Sequence, residues 1–267
     1  MIPTARVPVC ISIAGSDSGG GAGIQADIKA FARCGVHGTC AITAITAQNT
    51  VGVELVTQVP GPTIVAQVRA VASDIGVDGA KVGMLADEPT IEAAVEAVGL
   101  LGDVPVVVDP VMVSASGAVL LDPGAKAALI ERVLPLATVA TPNLPEAHEL
   151  TGLGPDATRD DLARAVQSLG PEAVVVTGGH SRDGVDVLFD GSEVHRMEGP
   201  RHPEGAAHGS GCTHSSALAA FLARSEPPLS AATRAREVAS EAVAAGLGDI
   251  GEGAGPVDAL NVSSRLQ

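Results

Sequence analysis

The sequence predicts an α/β fold: a mostly parallel central sheet with helices on both faces and an antiparallel hairpin at one edge. Three observations predict it. Short β-branched runs alternate with helical runs along almost the whole chain, the pattern of parallel strands joined by crossover helices. Apolar residues make up 46% of the 267 positions, an ample core. In "DVLFDGSEVHRM", Asp190-Gly191 stands between two alternating runs, which signals a hairpin. No repeat, low-complexity linker or domain boundary interrupts this order, so residues 1–267 read as one domain.

The elements follow in order. "VPVCISIAG" is a first strand rather than a signal peptide, and it leads through a glycine-rich loop into the helix "IQADIKAFARCG", stopped by Gly35. "TCAITAITAQNT" is rich in β-branched residues and reads as a buried strand. "TIVAQVRAVASDIG" carries apolar residues at helical spacing and ends in glycine. "GAKVGML" is a short strand, and "EPTIEAAVEAVGLLG" a helix with Pro89 in its first turn. "VPVVVDPV" is too short for a helix and reads as a central parallel strand. Helix "PGAKAALIERVL", strand "ATVATPN", helices "LPEAHELTG" and "RDDLARAVQSLG", and strand "EAVVVTGG" come next. After the hairpin, the helix that follows Cys212 and "SAATRAREVASEAVAAGLG" lead to a glycine-rich tail expected to be loose.

Composition excludes several classes. The net charge of −15 argues against a nucleic-acid partner, which calls for a basic stripe. Phe31, Phe189 and Phe221 are the only aromatic residues, so base-stacking platforms are poorly supported. No stretch is long and apolar enough to span a membrane. Cys10, Cys34, Cys40 and Cys212 show no close ligand spacing and imply no disulfide framework. A cytoplasmic enzyme is the expectation.

In open α/β sheets, ligands bind beyond the carboxyl ends of the strands. Six polar or glycine-rich segments gather at that edge: "GSDSGGGAG", "AQNT", "GML", "DPV", "TPNLPEA" and "TGGH". The first lacks the GxxxxGKS/T of a P-loop. Gly21 to Ala26 fits GxGxxG/A, but no acidic residue ends the second strand to meet a ribose. The remaining readings are a flexible turn, or a backbone that approaches a small molecule, with Asp17 or Asp27 in polar contact. Asp109 follows a buried strand and either caps a loop or faces a ligand or metal. Asn143 and Glu146 either form a capping box or, with Glu146 and Asp109 as carboxylates, serve Mg²⁺. In "HGSGC", Gly209, Ser210, Gly211 and Cys212 either make a tight turn with Ser210 as N-cap, or an anion site at a helix N-terminus. Cys212 there is core filler or a thiol of lowered pKa, a candidate base or nucleophile. His208 and His214 tune it or face solvent; the spacing makes no zinc set.

Taken in order, "AGSDSGGGAGIQAD", "AITAITAQNT", "KVGML", "VVVDPVM", "TPNLPEA", "TGGH" and "HGSGCTHSSALAA" closely resemble the hydroxymethylpyrimidine/phosphomethylpyrimidine kinase family of thiamine biosynthesis. The resemblance spans nearly the whole chain. It implies a ribokinase-like three-layer sandwich, a homodimer, and ATP- and Mg²⁺-dependent phosphorylation of 4-amino-5-hydroxymethyl-2-methylpyrimidine and then of its monophosphate. It further implies that the pyrimidine sits against Gly15, Ala22, Asp27, Gln48, Met84 and Val111, and that Gly209 to Cys212 form the anion hole, with Cys212 inheriting the place of the base. Asn143 and Glu146 would organise Mg²⁺ and the phosphates, and Thr177 and Gly179 would line the nucleotide site. The chain departs from the family at Thr177, where a lysine is usual, and at Ala206, Ala207 and Ser210 before and within the anion-hole motif. These departures lie on the phosphate side and point to altered phosphate handling, most of all in the second step. The alternatives are a pyridoxal kinase on the same fold, a non-catalytic pyrimidine-binding protein and, more distantly, a dinucleotide-dependent dehydrogenase.

Overall fold

The computed structural model describes residues 6–114, 116–179, 183–203 and 205–266. Its strands are β1 (Val9–Asp17), β2 (His37–Gln48), β3 (Val53–Gln58), β4 (Gly79–Val82), β5 (Val106–Val108), β6 (Val139–Ala140), β7 (Ala173–Val176), β8 (Asp186–Phe189) and β9 (Val194–Met197). They form one sheet in the order β3-β2-β1-β4-β5-β6-β7-β8-β9. The run from β2 to β7 is parallel, while β3 at one edge and β8 and β9 at the other are antiparallel. The helices are α1 (Gly23–Arg33), α2 (Gly61–Asp74), α3 (Glu88–Gly99), α4 (Lys126–Ala128), α5 (Leu144–Thr151), α6 (Arg159–Gln167), α7 (Ser210–Ala223) and α8 (Pro228–Ala244).

Side-chain alternation along the strands builds two apolar layers. Val106 and Val108 of β5 enter the layer covered by α2, α3, α5 and α6, whereas Val107 enters the layer covered by α1, α7 and α8. Val174, Val175 and Val176 of β7 divide in the same way. Both layers are aliphatic apart from a few phenylalanines, of which Phe31 is wholly buried. Each fully buried Leu, Ile or Val contributes roughly 1.5–3 kcal/mol, so a core of this kind holds the sheet without large aromatics.

Four expectations need correction. β3 was not foreseen: its alternation places Val53, Leu55 and Thr57 against Glu54, Val56 and Gln58, which gives no clean apolar face, and its register comes from pairing with β2. β2 is not buried throughout, because Ile45 and Ala47 face solvent with Leu55 opposite Ala47. The helix expected over 123–134 is a broken run in which α4 is flanked by a 3-10 turn at Pro123–Ala125, a π turn at Leu129–Val133 and another 3-10 turn at Leu134–Leu136. Pro123 and Pro135, which lack an N–H, bracket it. The tail is not loose over 255–259: the Leu247 N–H donates to Pro256 O at 2.9 Å, and Val257, Asp258 and Ala259 are buried.

Candidate active site

The carboxyl ends of the parallel strands open into one cavity of about 1020 Å³. Of the residues singled out from the sequence, Gly15, Ala22, Gln48, Met84, Val111, Asp109, Asn143, Glu146, Thr177, Gly179 and Gly209 to Cys212 all line it. Asp27 does not.

One end is apolar with a polar rim. β1 bulges between Ala14 and Ser16, which leaves Gly15 out of register beside Met84. Gln48 ends β2, and its Oε1 accepts the Thr46 hydroxyl at 3.1 Å. The same Thr46 hydroxyl also reaches Ser16 O at 3.0 Å, and the Gln48 side chain lines the cavity. Asp27 lies on the first turns of α1 and is fully buried. It accepts hydrogen bonds from Ser12 Oγ (2.5 Å), Ser216 Oγ (2.7 Å) and Lys81 Nζ (3.0 and 3.1 Å), so its carboxylate is saturated by the protein. Its expected place against the pyrimidine is thus taken by an internal ion pair. Lys81 was missed by sequence reasoning, although a lysine inside the short apolar strand "GAKVGML" was a usable signal. Burial is the largest single influence and disfavours its ammonium, but the charges of Asp27, Cys212 and Asp109, with the Asp27 hydrogen bond, together hold its pKa above the ordinary lysine value.

At the ends of β5 and β6 stand the two carboxylates. Asp109 accepts Ser215 Oγ at 2.9 Å, with Lys81 Nζ 4.0 Å away. Burial raises its pKa despite Lys81 and Ser215. Asn143 and Glu146 form a reciprocal capping box on α5, with both backbone-to-side-chain bonds at 2.9 Å. Burial and then the charge of Asp109 push the Glu146 carboxyl up to about 8. Two buried cavity carboxylates, both held above the usual carboxylate range mainly by burial, suit a divalent cation that neutralises both. Among the described residues no group of three or more His, Cys, Asp or Glu side chains could hold a metal unaided. Phosphate oxygens and waters would have to complete such a site, as Mg²⁺ sites commonly require.

The loop before α7 carries the segment expected to form the anion hole, Gly209 to Cys212, and it lines the cavity. Gly209 is the helix N-cap, with φ of 83°, so the expected Ser210 cap is replaced by a left-handed glycine. The Ser210 N–H closes a turn onto Ala207 O at 3.0 Å and is not a free donor. Among the described residues, no partner takes the Gly209, Gly211 or Cys212 amides, and these stand at the positive end of α7. The thiol does not have the lowered pKa expected at a helix terminus. Burial pushes Cys212 up to about 12; Lys81 opposes this, Asp27 and Asp109 add to it, and the Gly23 N–H opposes it again. His214 is buried yet lines the cavity, and burial lowers its pKa. His208 is also buried and donates from Nε2 to Asp17 Oδ2 at 3.1 Å.

The far end of the cavity is bordered by Thr177 and Gly179 after β7, with Asp186 and Arg236 behind them. Thr177 pairs with Asn143 in an isolated parallel bridge, which ties this loop to the carboxylates. Asp186 accepts the Gly178 N–H at 2.6 Å and lies 3.4 Å from Arg236 Nε; neither residue was anticipated. His180 of the "TGGH" motif lies outside the described residues. Of the two alanines, Ala207 lines the cavity, but Ala206 is buried against Gly246. Only Ala207 is therefore placed at the cavity wall.

The sequence profile of the phosphomethylpyrimidine kinase family matches residues 17–258, a span that includes the site residues from Asp17 onward. The chain belongs to that family. It is 45% identical to the hydroxymethylpyrimidine/phosphomethylpyrimidine kinase of Streptomyces coelicolor over 96% of this chain and 96% of that one. Among solved structures it is similar to the ADP complex of Bacillus subtilis pyridoxal kinase, with a TM-score of 0.87, 36% identity, and coverage of 98% and 100% of the two chains. It is also similar to Clostridium difficile phosphomethylpyrimidine kinase, with a TM-score of 0.77, 38% identity, and coverage of 89% and 100%. The three-layer sandwich is accordingly the ribokinase-like fold expected from the motifs.

Proposed function

We propose that this kinase transfers the γ-phosphoryl group of ATP to the hydroxymethyl oxygen of 4-amino-5-hydroxymethyl-2-methylpyrimidine, and then phosphorylates the monophosphate, in thiamine biosynthesis. One observation carries the reading: a single cavity joins an apolar pocket, rimmed by Gln48, to free helix-terminal amides at Gly211 and Cys212. Gly15, Met84 and Val111 would enclose the ring, and Gln48 would meet its aminopyrimidine edge. Cys212 would accept the alcohol proton while the amides of Gly209, Gly211 and Cys212 meet the charge on the transferring group. Asp109 and Glu146 would hold Mg²⁺, which when bound supplies charge neutralisation at the phosphates. Asn143, Thr177 and Gly179 would position the nucleotide.

The reading takes residues 1–267 as one kinase domain, acting in the cytoplasm as a homodimer. Ile45 and Leu55 on the outer face of β2 and β3, 55% and 60% exposed, support a contact between copies there. A second reading, pyridoxal as acceptor, is favoured by the likeness to the B. subtilis pyridoxal kinase. The test is ADP release with Mg-ATP and hydroxymethylpyrimidine, its monophosphate or pyridoxal, each offered alone. Turnover of both pyrimidines is the expected result. Turnover of the free alcohol alone would place the loss on the second step and make Thr177→Lys the next variant to test. Pyrimidine binding without any ADP would end the kinase reading.

A further inference from the structure

Asp17, at the end of β1, is the hub of the glycine-rich loop. Its Oδ1 accepts the Gly19 N–H at 2.8 Å, and its Oδ2 accepts the Gly21 and Ala22 N–H groups at 3.1 and 2.8 Å. The same Oδ2 accepts His208 Nε2 at 3.1 Å, across 191 positions of sequence. His208 is itself fixed from the other side: its N–H donates to Gly255 O at 3.2 Å, and its carbonyl accepts the Val257 N–H at 3.0 Å. The imidazole packs so closely on Gly21 that a Cβ there would meet His208 Cδ2 at 2.2 Å. One residue further on, Gly209 turns the chain into α7 against Gly21 O. The pyrimidine wall at Ala22 and the anion hole are therefore joined by one side-chain hydrogen bond, and the C-terminal segment braces that bond from behind.

We propose that Asp17 and His208 are a positioning pair that sets the anion hole against the acceptor hydroxyl; this rests on the kinase reading above. Neither side chain needs to touch the reacting atoms. Asp17 accepts the Gly19, Gly21 and Ala22 N–H groups without His208, and these hold the loop beside the ring pocket, so losing the His208 bond should misplace the phosphoryl group and leave pyrimidine binding largely intact.

The test compares His208→Gln, whose amide N–H₂ retains a donor, with His208→Leu, which fills similar space without one. The expected result is a fall in kcat of about 100-fold for His208→Leu, the effect of roughly 1 Å of misplacement. Its pyrimidine KM should stay within about twofold, and His208→Gln should recover most of the loss. Gly21→Ala, which pushes the imidazole off Asp17 without deleting it, should reproduce the defect and covers the case in which His208→Leu fails to fold. Equal activity of the Leu and Gln variants, or parallel changes in KM and kcat in both, would overturn the proposal. If the wild-type chain turned over no pyrimidine at all, hydrogen exchange would still decide. The hydrogen-bonded Ser210 and Thr213 amides should exchange faster in His208→Leu than in His208→Gln, and equal exchange would overturn the pairing independently of the substrate.

Discussion

Lys81 Nζ lies 3.0 Å from Asp27 Oδ1, with both side chains out of contact with water. The pair is positioned where its charges act on both Cys212 and Asp109. A motif residue expected to bind substrate thus acts as the counter-ion of a buried lysine.

Removing one partner should expose the cost of that burial. Lys81→Met leaves the Asp27 carboxylate uncompensated and should destabilise the chain by about 3–5 kcal/mol. The double variant Lys81→Met/Asp27→Asn should regain much of the loss, because Asp27 is no longer stranded and only Asp109, 4.0 Å from Lys81, loses a neighbouring charge. Urea unfolding with unchanged m-values measures both. A single-variant loss below about 1 kcal/mol, typical of an exposed pair, would mean that the lysine reaches water.

The Cys212 thiol predicts a pH profile. With its pKa pushed up to about 12, the thiolate fraction in the free enzyme grows tenfold for each pH unit across the neutral range. If Cys212 accepts the alcohol proton, log kcat/KM for the pyrimidine should climb with unit slope from about pH 7 to 9, since this parameter reports the free enzyme. Cys212→Ala should lose about 100-fold or more and show no such slope. A wild-type plateau across that window would assign the proton to another group.

Two glycines of the anion hole should respond in opposite ways. Gly209 has φ of 83°, and a Cβ there would lie 1.7 Å from Gly21 O. Left-handed backbone alone costs an L-residue roughly 1–2 kcal/mol, and the clash adds to it. Gly209→Ala should therefore lower the thermal midpoint and abolish most turnover. A Cβ at Gly211 meets nothing within 4 Å, and Ala gains up to about 1 kcal/mol of helix propensity there. Gly211→Ala should be as stable as the wild type or more so, with turnover largely kept. Equal damage from both would mean that the hole needs a bare backbone at Gly211 for the ligand itself.

Much of the fold was legible because its signals are local. β-branched runs, capping residues and Asp190-Gly191 specify elements within a few positions of themselves, and loops at one sheet edge announced the cavity. What failed was long-range. β3 has no apolar period of its own and exists through pairing with β2. The tail is ordered by contacts with His208 and α8 that no local pattern encodes. Asp27 and Cys212 were misjudged for one reason: a motif gives residue type, but the dielectric around a carboxylate or thiol depends on what packs over it. Lys81, 54 positions from Asp27, supplies the neighbour that reverses the first reading.

Glu146 was left with two roles, capping and metal binding, and the structure allows them to be separated. Its Oε2 accepts the Asn143 N–H, a bond that the carbonyl of a glutamine can also accept. Glu146→Gln should therefore keep the capping box and the fold. Its pH behaviour should change in a definite direction. The folded carboxyl is raised to about 8 from 4.5, so between those values the folded chain retains a proton that the unfolded chain has lost. Stability from this group is then present below about pH 4.5 and falls as pH rises towards 8. Glu146→Gln removes that fall and should be more stable than the wild type at pH 8 in the absence of metal. Mg²⁺ should reverse the order, because it restores a partner to the wild-type carboxylate and finds only Asp109 in the variant. Thermal midpoints with and without Mg²⁺ and ADP, together with calorimetric titration of Mg²⁺, test both halves. Loss of the Mg²⁺-dependent stabilisation in Glu146→Gln and Asp109→Asn, with folding intact, would assign the metal to this pair. Undiminished Mg²⁺ stabilisation in both variants would leave Glu146 as a helix cap alone.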